Sequence, residues 1–310
     1  MPLRVLSQIP FGLDRLKAEA PEIELVEVPQ AGPIPKGLRA EVLLTTAWGS
    51  PNLAELIEAA GVRWIHTVGT GVDRFPLDAV GGRILTCSRG ASAIPISEWV
   101  LAVMLAFEKR LPEAWVHGPP QRWAFSEAGG LYGRTLGLIG LGGIGAAIAR
   151  RALAFDMRVL ALRRTSAPSP LDGVRVVDRL DDLLTQADHL ALATAATPAT
   201  RHIIGQEALA KVKRGVHLVN IARGALVDQD ALREALDDGR VARASLDVCD
   251  PEPLPEGHWL YTHPGVRLSP HTSWGMPEAL DLLYDTFVEN LQRWRRGDDL
   301  VGRVNLEEGY

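Results

Sequence analysis

Six residues, Gly140-Leu141-Gly142-Gly143-Ile144-Gly145, join the apolar run Thr135-Leu136-Gly137-Leu138-Ile139 to an alanine-rich segment at 144–154. Strand, GxGxxG and helix in that order open a dinucleotide-binding βαβ unit. The string alone is a weak signal, because 30 glycines spread over 310 residues produce near-matches. Its setting is what constrains the chain. The first glycine permits a tight turn, the second lets backbone approach a pyrophosphate, and the third lets helix pack closely on strand. The helix N-terminus adds unpaired N–H groups and a positive dipole end. Gly140, Gly142, Gly143, Ile144 and Gly145 are therefore the expected cofactor loop.

A single βαβ unit is not a domain, and the rest of the chain supplies the neighbours. Residues 3–6, 24–28, 41–45 and 63–67 read as strands. Residues 14–20 and 53–60 have helical spacing, with Asn52 placed to cap the second. A strongly apolar helix is expected over 97–111, followed by a loop rich in Gly, Pro and Trp at 112–130. From Thr135 the rhythm restarts, with strands at 135–139, 158–162, 174–177, 189–193, 216–221, 243–248 and 266–268. Helices are expected at 144–154 and 229–238, the latter stopped by Gly239. The last helix, 277–296, carries Leu283, Phe287, Val288, Leu291 and Trp294 on one face and is expected to return to the first domain. Such alternation implies α/β architecture with parallel sheets covered on both faces. The length suits two domains at about 150 residues each.

Composition removes several classes of function. With 33 basic and 38 acidic residues the net charge is −5, which gives the chain no general pull toward nucleic acid. Cys87 and Cys249 have no metal-ligand spacing and form no disulfide framework, so neither a metal centre nor an oxidising compartment is expected. The opening residues MPLRVLSQIP lack the apolar run of a signal peptide, and no 18-residue apolar stretch occurs. The expectation is a cytoplasmic protein with no membrane partner.

Polar groups stand at the ends of three successive strands of the second half. Residues 216–221 run into Ala222-Arg223-Gly224, 243–248 into Cys249-Asp250-Pro251-Glu252-Pro253, and 266–268 into Ser269-Pro270-His271. The carboxyl ends of parallel strands border the ligand crevice, so Arg223, Glu252 and His271 are expected to converge there. Any one alone reads as a surface arginine, a loop glutamate or a satisfied histidine. Together they suit hydride transfer to a 2-keto acid, which needs a cation for the substrate oxygens and a proton donor for the developing alkoxide. Arginine supplies the fork, histidine titrates near neutrality, and a carboxylate on its other nitrogen orients the ring.

Dinucleotide folds that take NAD hold the ribose with an acid about 20 residues past the glycine loop. Arg163 and Arg164 stand there instead, followed by the hydroxyls of Thr165 and Ser166, with no acid between Asp156 and Asp172. Arginines bind a 2′-phosphate that an acid would repel. NADP(H) is therefore favoured over NAD(H), although only five of the 33 basic residues are lysines and paired arginines also occur elsewhere.

The stretches TLGLIGLGGIG at 135–145, TPATRHII at 197–204, NIARGALVD at 220–228, DVCDPEPLP at 247–255 and SPH at 269–271 resemble the D-isomer-specific 2-hydroxyacid dehydrogenase family, which includes glyoxylate/hydroxypyruvate reductases. The resemblance spans essentially the whole chain. It implies a Rossmann-type cofactor domain at 99–282, inserted in a flavodoxin-like substrate domain made of 1–98 and 283–310. The site would lie in the cleft between the two. It assigns the substrate to Arg223, the acid/base role to His271 with Glu252 as partner, and the nicotinamide carboxamide to Asp247. Thr194, Thr197, Pro198, Ile221 and Ala222 would line the cofactor. Gly69-Thr70-Gly71-Val72-Asp73 resembles the family's substrate loop, so the N–H groups of Thr70 and Gly71 would take the substrate carboxylate. Trp48, and secondarily Trp274, would shape the pocket or else pack at an interface. The relatives pair as homodimers through the cofactor domain, and the loop 112–130 would contribute to that contact.

Three stretches depart from the family pattern. Arg163 replaces the ribose-binding acid, Ala195-Ala196 replaces a more usual Pro-Leu, and Ile94-Pro95-Ile96-Ser97-Glu98 replaces an Asn-x-x-Val-Ala-Glu-like run. The competing readings are a binding-only, NAD(H)-responsive corepressor of the same fold and a formate- or phosphite-type enzyme. Formate enzymes of this type pair the histidine with glutamine, so Glu252 speaks against the latter.

Overall fold

A computed structural model describes residues 2–124, 127–165 and 168–310. In chain order the elements are β1 (Leu3–Ser7), α1 (Leu13–Glu19), β2 (Ile23–Glu27), β3 (Val42–Thr46), α2 (Leu53–Ala60), β4 (Trp64–Val68), β5 (Ile84–Cys87) and α3 (Ala93–Glu108). They continue with β6 (Thr135–Ile139), α4 (Gly143–Ala154), β7 (Arg158–Leu162), β8 (Val174–Val177), α5 (Leu180–Leu184), β9 (His189–Leu192), α6 (Gln206–Leu209), β10 (Val216–Asn220), α7 (Gln229–Asp237), β11 (Val241–Leu246), β12 (Val266–Leu268) and α8 (Ala279–Arg296). Two compact units result: Met1–Ser92 with Met276–Tyr310, and Ala93–Gly275.

The first unit is a parallel five-stranded sheet in the order β2-β1-β3-β4-β5, the flavodoxin-like order. All five residues of β3 are buried, as a central strand covered on both faces requires. The apolar face of α8 presents Tyr284, Phe287 and Leu291 to Val5, Leu16 and Trp64. Fully buried Asn290 donates to the Val301 carbonyl and accepts from its N–H, both at 2.8 Å, and so pins the chain after the helix.

The second unit is a parallel seven-stranded sheet in the order β12-β11-β10-β9-β6-β7-β8. Counted from β6 this is the Rossmann order with one further strand at the far edge. Period-two alternation feeds two cores from the same strands. Leu136, Leu138, Val159, Ala161 and Ala191 pack with α3 and α4. Ile139, Leu160, Leu190, Leu192 and Leu218 pack on the other side with Leu183, Leu209 and Leu232.

The architecture is the one expected, and the differences are local. The strand β5 was not expected, because ILTC is a four-residue run just after Gly81-Gly82-Arg83. Helices α5 and α6 span five and four residues, too few to show periodicity. Helix α3 begins at Ala93, four residues before the expected Ser97. Pro95 lies in its first turn, where a missing N–H costs nothing. The expected junctions at 98/99 and 282/283 cut into α3 and α8, whereas the contacts keep both helices whole. Asn52 occupies the N-cap of α2 without capping it. Its side chain accepts from Gln8 and donates to the carbonyls of Pro29 and Gly32 instead. Gly239 does follow α7 with a φ of 76°.

Candidate active site

In the second unit every candidate segment leaves the carboxyl end of a strand. The sheet order reverses between β6 and β9, the position where open α/β sheets bind ligands. Gly140, at the end of β6, has a φ of 102°, and a Cβ there would lie 2.5 Å from the Ala193 carbonyl oxygen beyond β9. A Cβ on Gly145 would lie 2.1 Å from the Gly140 carbonyl oxygen, so helix and turn are in backbone contact. Around Gly142 a Cβ would meet nothing within 4 Å. This residue is the N-cap of α4, with no side-chain cap on the N–H groups behind it. Open space in front of unpaired donors at the start of a twelve-residue helix suits a pyrophosphate. The residues present therefore fit a dinucleotide.

Beyond β9, Thr194 and Thr197 lie half-buried in a loop that Thr200 holds. The Thr200 hydroxyl donates to the Ala195 carbonyl and accepts from the Thr197 N–H, each at 2.8 Å. Pro198 is exposed, whereas Ile221 and Ala222, after β10, are buried. At the end of β7, Arg163 is half-buried and its Nη1 donates to the Pro168 carbonyl at 3.0 Å. Arg164 and Thr165 are exposed, and Ser166 lies outside the described residues.

Arg223 follows β10 in a turn fixed by buried Asn220. The Asn220 Nδ2 donates to the Arg223 carbonyl at 2.9 Å, and its Oδ1 accepts from the Ala222 N–H at 3.1 Å. The Arg223 Nη1 donates to the Ala222 carbonyl at 2.7 Å. The next residue, Gly224, rests directly on the neighbouring loop, since a Cβ there would lie 2.0 Å from the Cys249 carbonyl carbon. The loop after β10 and the loop after β11 are thus in backbone contact.

Glu252, in the loop after β11, faces His271, after β12. Its Oε2 lies 3.2 Å from the His271 Nδ1, and its Oε1 accepts from the Cys249 N–H at 3.3 Å. The His271 side chain is 41% exposed against 18% for Glu252, so the pair opens to solvent on the histidine side. His271 has a φ of 55°, a region sparsely populated by residues with a Cβ. Cys249 beside the pair has its thiol pushed up to about 11, chiefly by burial and then by Glu252 and Asp250.

Asp247, directly after β11, holds the loop that follows β12. Its 1% exposed carboxylate accepts from the Ser269 hydroxyl at 2.5 Å, the Thr272 N–H at 2.8 Å and the Ser273 N–H at 3.0 Å. Three of a carboxylate's roughly four lone-pair positions hold the loop that carries His271. Asn220, Gly224 and Thr200 are the positioning residues not singled out in the sequence. The signal for Asn220 was present, as an amide three residues before the arginine is placed for an Asx-type turn. No group of three or more His, Cys, Asp or Glu side chains able to hold a metal occurs among the described residues. Among them, too, no helix is long and apolar enough to cross a membrane.

In the first unit, Gly69 after β4 has a φ of 142° and approaches Ala47, whose neighbour Trp48 is 67% exposed. The Gly69 carbonyl accepts from the Ser88 N–H at 2.9 Å, and the Thr70 hydroxyl donates to the Ser88 carbonyl at 3.4 Å. Thr70 and Gly71 are both half-buried.

Residues 101–273 match the model of the D-isomer specific 2-hydroxyacid dehydrogenase NAD-binding domain. The chain is 35% identical to a glyoxylate reductase of Korarchaeum cryptofilum over 99% of its length and 94% of that protein. It is also 35% identical to a D-3-phosphoglycerate dehydrogenase of Methanocaldococcus jannaschii, over 86% of its own length. The chain spans about half the length of that relative, 52%. Among solved structures, a D-isomer specific 2-hydroxyacid dehydrogenase from Xanthobacter autotrophicus, in complex with NADPH and MES, superposes with a TM-score of 0.86. That protein is 24% identical, and both chains are covered in full at 100%.

Proposed function

Because the chain belongs to the D-isomer specific 2-hydroxyacid dehydrogenase family and is an NAD(P)-dependent oxidoreductase, we propose that it reduces small 2-keto acids of the glyoxylate or hydroxypyruvate type to D-2-hydroxy acids. The observation that carries this reading is the Glu252–His271 contact at 3.2 Å. An imidazole oriented in this way speaks for proton transfer over a binding-only role. Glu252 at Nδ1 orients the ring and leaves Nε2 to hand a proton to the substrate oxygen. The Arg223 guanidinium binds the substrate carboxylate and polarises its carbonyl. A nicotinamide dinucleotide, when bound, supplies the hydride. Gly140, Gly142, Gly143, Ile144 and Gly145 would hold its pyrophosphate. Thr194, Thr197, Pro198, Ile221 and Ala222 would lie along it, with Asp247 at the carboxamide through its remaining lone-pair position. In the first unit, the N–H groups of Thr70 and Gly71 are assigned the substrate carboxylate, and Trp48 the substrate side chain.

The proposal extends to NADP(H) as the preferred cofactor, supported by Arg163, Arg164 and Thr165 where an acid would otherwise stand. It extends also to a homodimer formed through the second unit, supported by exposed Trp115 and Trp123 in the loop 112–130. A light-scattering mass of one chain would end that part of the reading. Two unpaired thiols support placement in the cytoplasm.

A spectrophotometric panel tests the activity, with glyoxylate, hydroxypyruvate, pyruvate and bulkier 2-keto acids offered against NADPH and NADH. Turnover of the small acids, lost in His271→Ala with cofactor binding retained, is the expected result. Cofactor binding without turnover of any acid would point to the binding-only protein, and activity retained in His271→Ala would remove the acid/base assignment.

A further inference from the structure

Trp274 is a 40% exposed tryptophan three residues past His271, and its indole is committed to the protein's own backbone. The indole N–H donates to the His271 carbonyl at 3.0 Å. At the other end of the same peptide, the Thr272 N–H donates to the Asp247 carboxylate at 2.8 Å. The His271 N–H is held in turn by the carbonyls of Asp247 at 2.9 Å and Ser269 at 3.0 Å. Both peptides flanking His271 are therefore fixed, one of them at both ends, around a residue whose φ of 55° its own Cβ disfavours. The direction of the imidazole follows from that backbone, since φ and ψ set where the Cα–Cβ bond points.

We propose that Trp274 is a positioning residue. Its indole N–H clamps the His271–Thr272 peptide and so aims the imidazole between Glu252 and the substrate. An indole is suited to this task because it donates one hydrogen bond and accepts none, so it cannot compete for the N–H groups that Asp247 collects. This assignment rests on the proposed acid/base role of His271, and it differs from a substrate-contacting role for the same side chain. A clamp acts on the proton-transfer step, whereas a pocket wall acts on substrate affinity.

Two substitutions separate these roles. Trp274→Phe keeps an aromatic ring and deletes the donor. Trp274→His restores a ring N–H, because imidazole Nε2 overlies the indole nitrogen when the five-membered rings are superposed. With the full-length enzyme, Trp274→Phe should lower kcat about five-fold, the worth of one neutral hydrogen bond expressed only in the reacting complex. KM for the 2-keto acid and cofactor affinity should stay within about two-fold on the same ground, and Trp274→His should recover most of kcat. The His271 ring signal in a histidine-labelled NMR spectrum, assigned by its loss in His271→Ala, should move in Trp274→Phe and return in Trp274→His. An unchanged kcat in Trp274→Phe overturns the clamp. So does a raised KM at constant kcat, or a His variant as slow as the Phe variant. If the unaltered enzyme turns over no 2-keto acid, the proposed activity fails by itself. The ring signal then decides the clamp alone, and a signal unmoved by Trp274→Phe overturns it.

Discussion

Gly224 shows how a residue with no side chain can govern the chemistry. A Cβ at this position would sit 2.0 Å from the Cys249 carbonyl carbon and 2.4 Å from the Asp250 nitrogen, both backbone atoms that cannot swing aside. Gly224→Ala must therefore part the Arg223 turn from the loop that carries Glu252. Overpacking of this kind costs about 1–3 kcal/mol, and a shift near 1 Å at a reacting group costs about 100-fold in rate. The expected outcome is a lower Tm together with a kcat/KM reduced by that order. Gly142→Ala is the contrast, since its Cβ would meet nothing within 4 Å. That variant should keep the Tm and lose dinucleotide affinity, as measured by fluorescence titration. Equal effects of the two on Tm would contradict the reading of both glycines. Arg223, Glu252 and His271 were legible as residue types at strand ends. The Gly224 contact was not, because it depends on which loops touch, and strand order is not written locally in the chain.

At the scale of elements, the proposed cofactor preference rests on the end of β7. Arg163 is partly engaged by the Pro168 carbonyl, while Arg164 is exposed at the next position. A 2′-phosphate would receive charge-assisted hydrogen bonds from such a pair. Replacing the pair in an Arg163→Asp/Arg164→Ala variant should lower the ratio of kcat/KM for NADPH over NADH by at least about ten-fold, the worth of one such bond. An unchanged ratio would make these arginines ordinary surface charge. Elements themselves were readable wherever length allowed a period to show. The strands β6, β7, β8 and β12 have the expected bounds, as does α2. The short β5, α5 and α6 escaped notice because four or five residues complete barely one helical turn or two strand repeats. Helix α3 began earlier than expected because a proline inside a first turn looks, in sequence, like a break.

At the scale of the molecule, each sheet encloses a histidine that must stay neutral to remain folded. In the first unit His66 is fully buried, with the hydroxyls of Thr86 at 2.8 Å and Ser88 at 3.2 Å on its two nitrogens, and burial pushes it down to about 3. In the second unit His217 is also fully buried. It meets the His189 ring at 3.1 Å and the Ser245 hydroxyl at 2.9 Å. Burial first, then His189 and Arg243, hold its pKa well below the ordinary value. Above an unfolded value of about 6.5 these two histidines are neutral in either state and cost nothing. As pH falls below that value the unfolded chain takes up protons that the folded chain refuses, so stability declines. The slope is about 1.4 kcal/mol per pH unit for each such histidine, and for His66 it continues until pH approaches about 3. Glu108 and Asp188, whose pKa values are lowered, add their own loss only where carboxylates begin to protonate. Between pH 6.5 and about 5 the buried histidines therefore dominate among these groups. The Tm should fall across that interval, and His66→Asn, which keeps a polar partner for Thr86 but cannot titrate, should flatten the decline even though its own starting Tm is lower. A decline equally steep in that variant would show that the acid sensitivity arises elsewhere than at the buried imidazole of the first sheet.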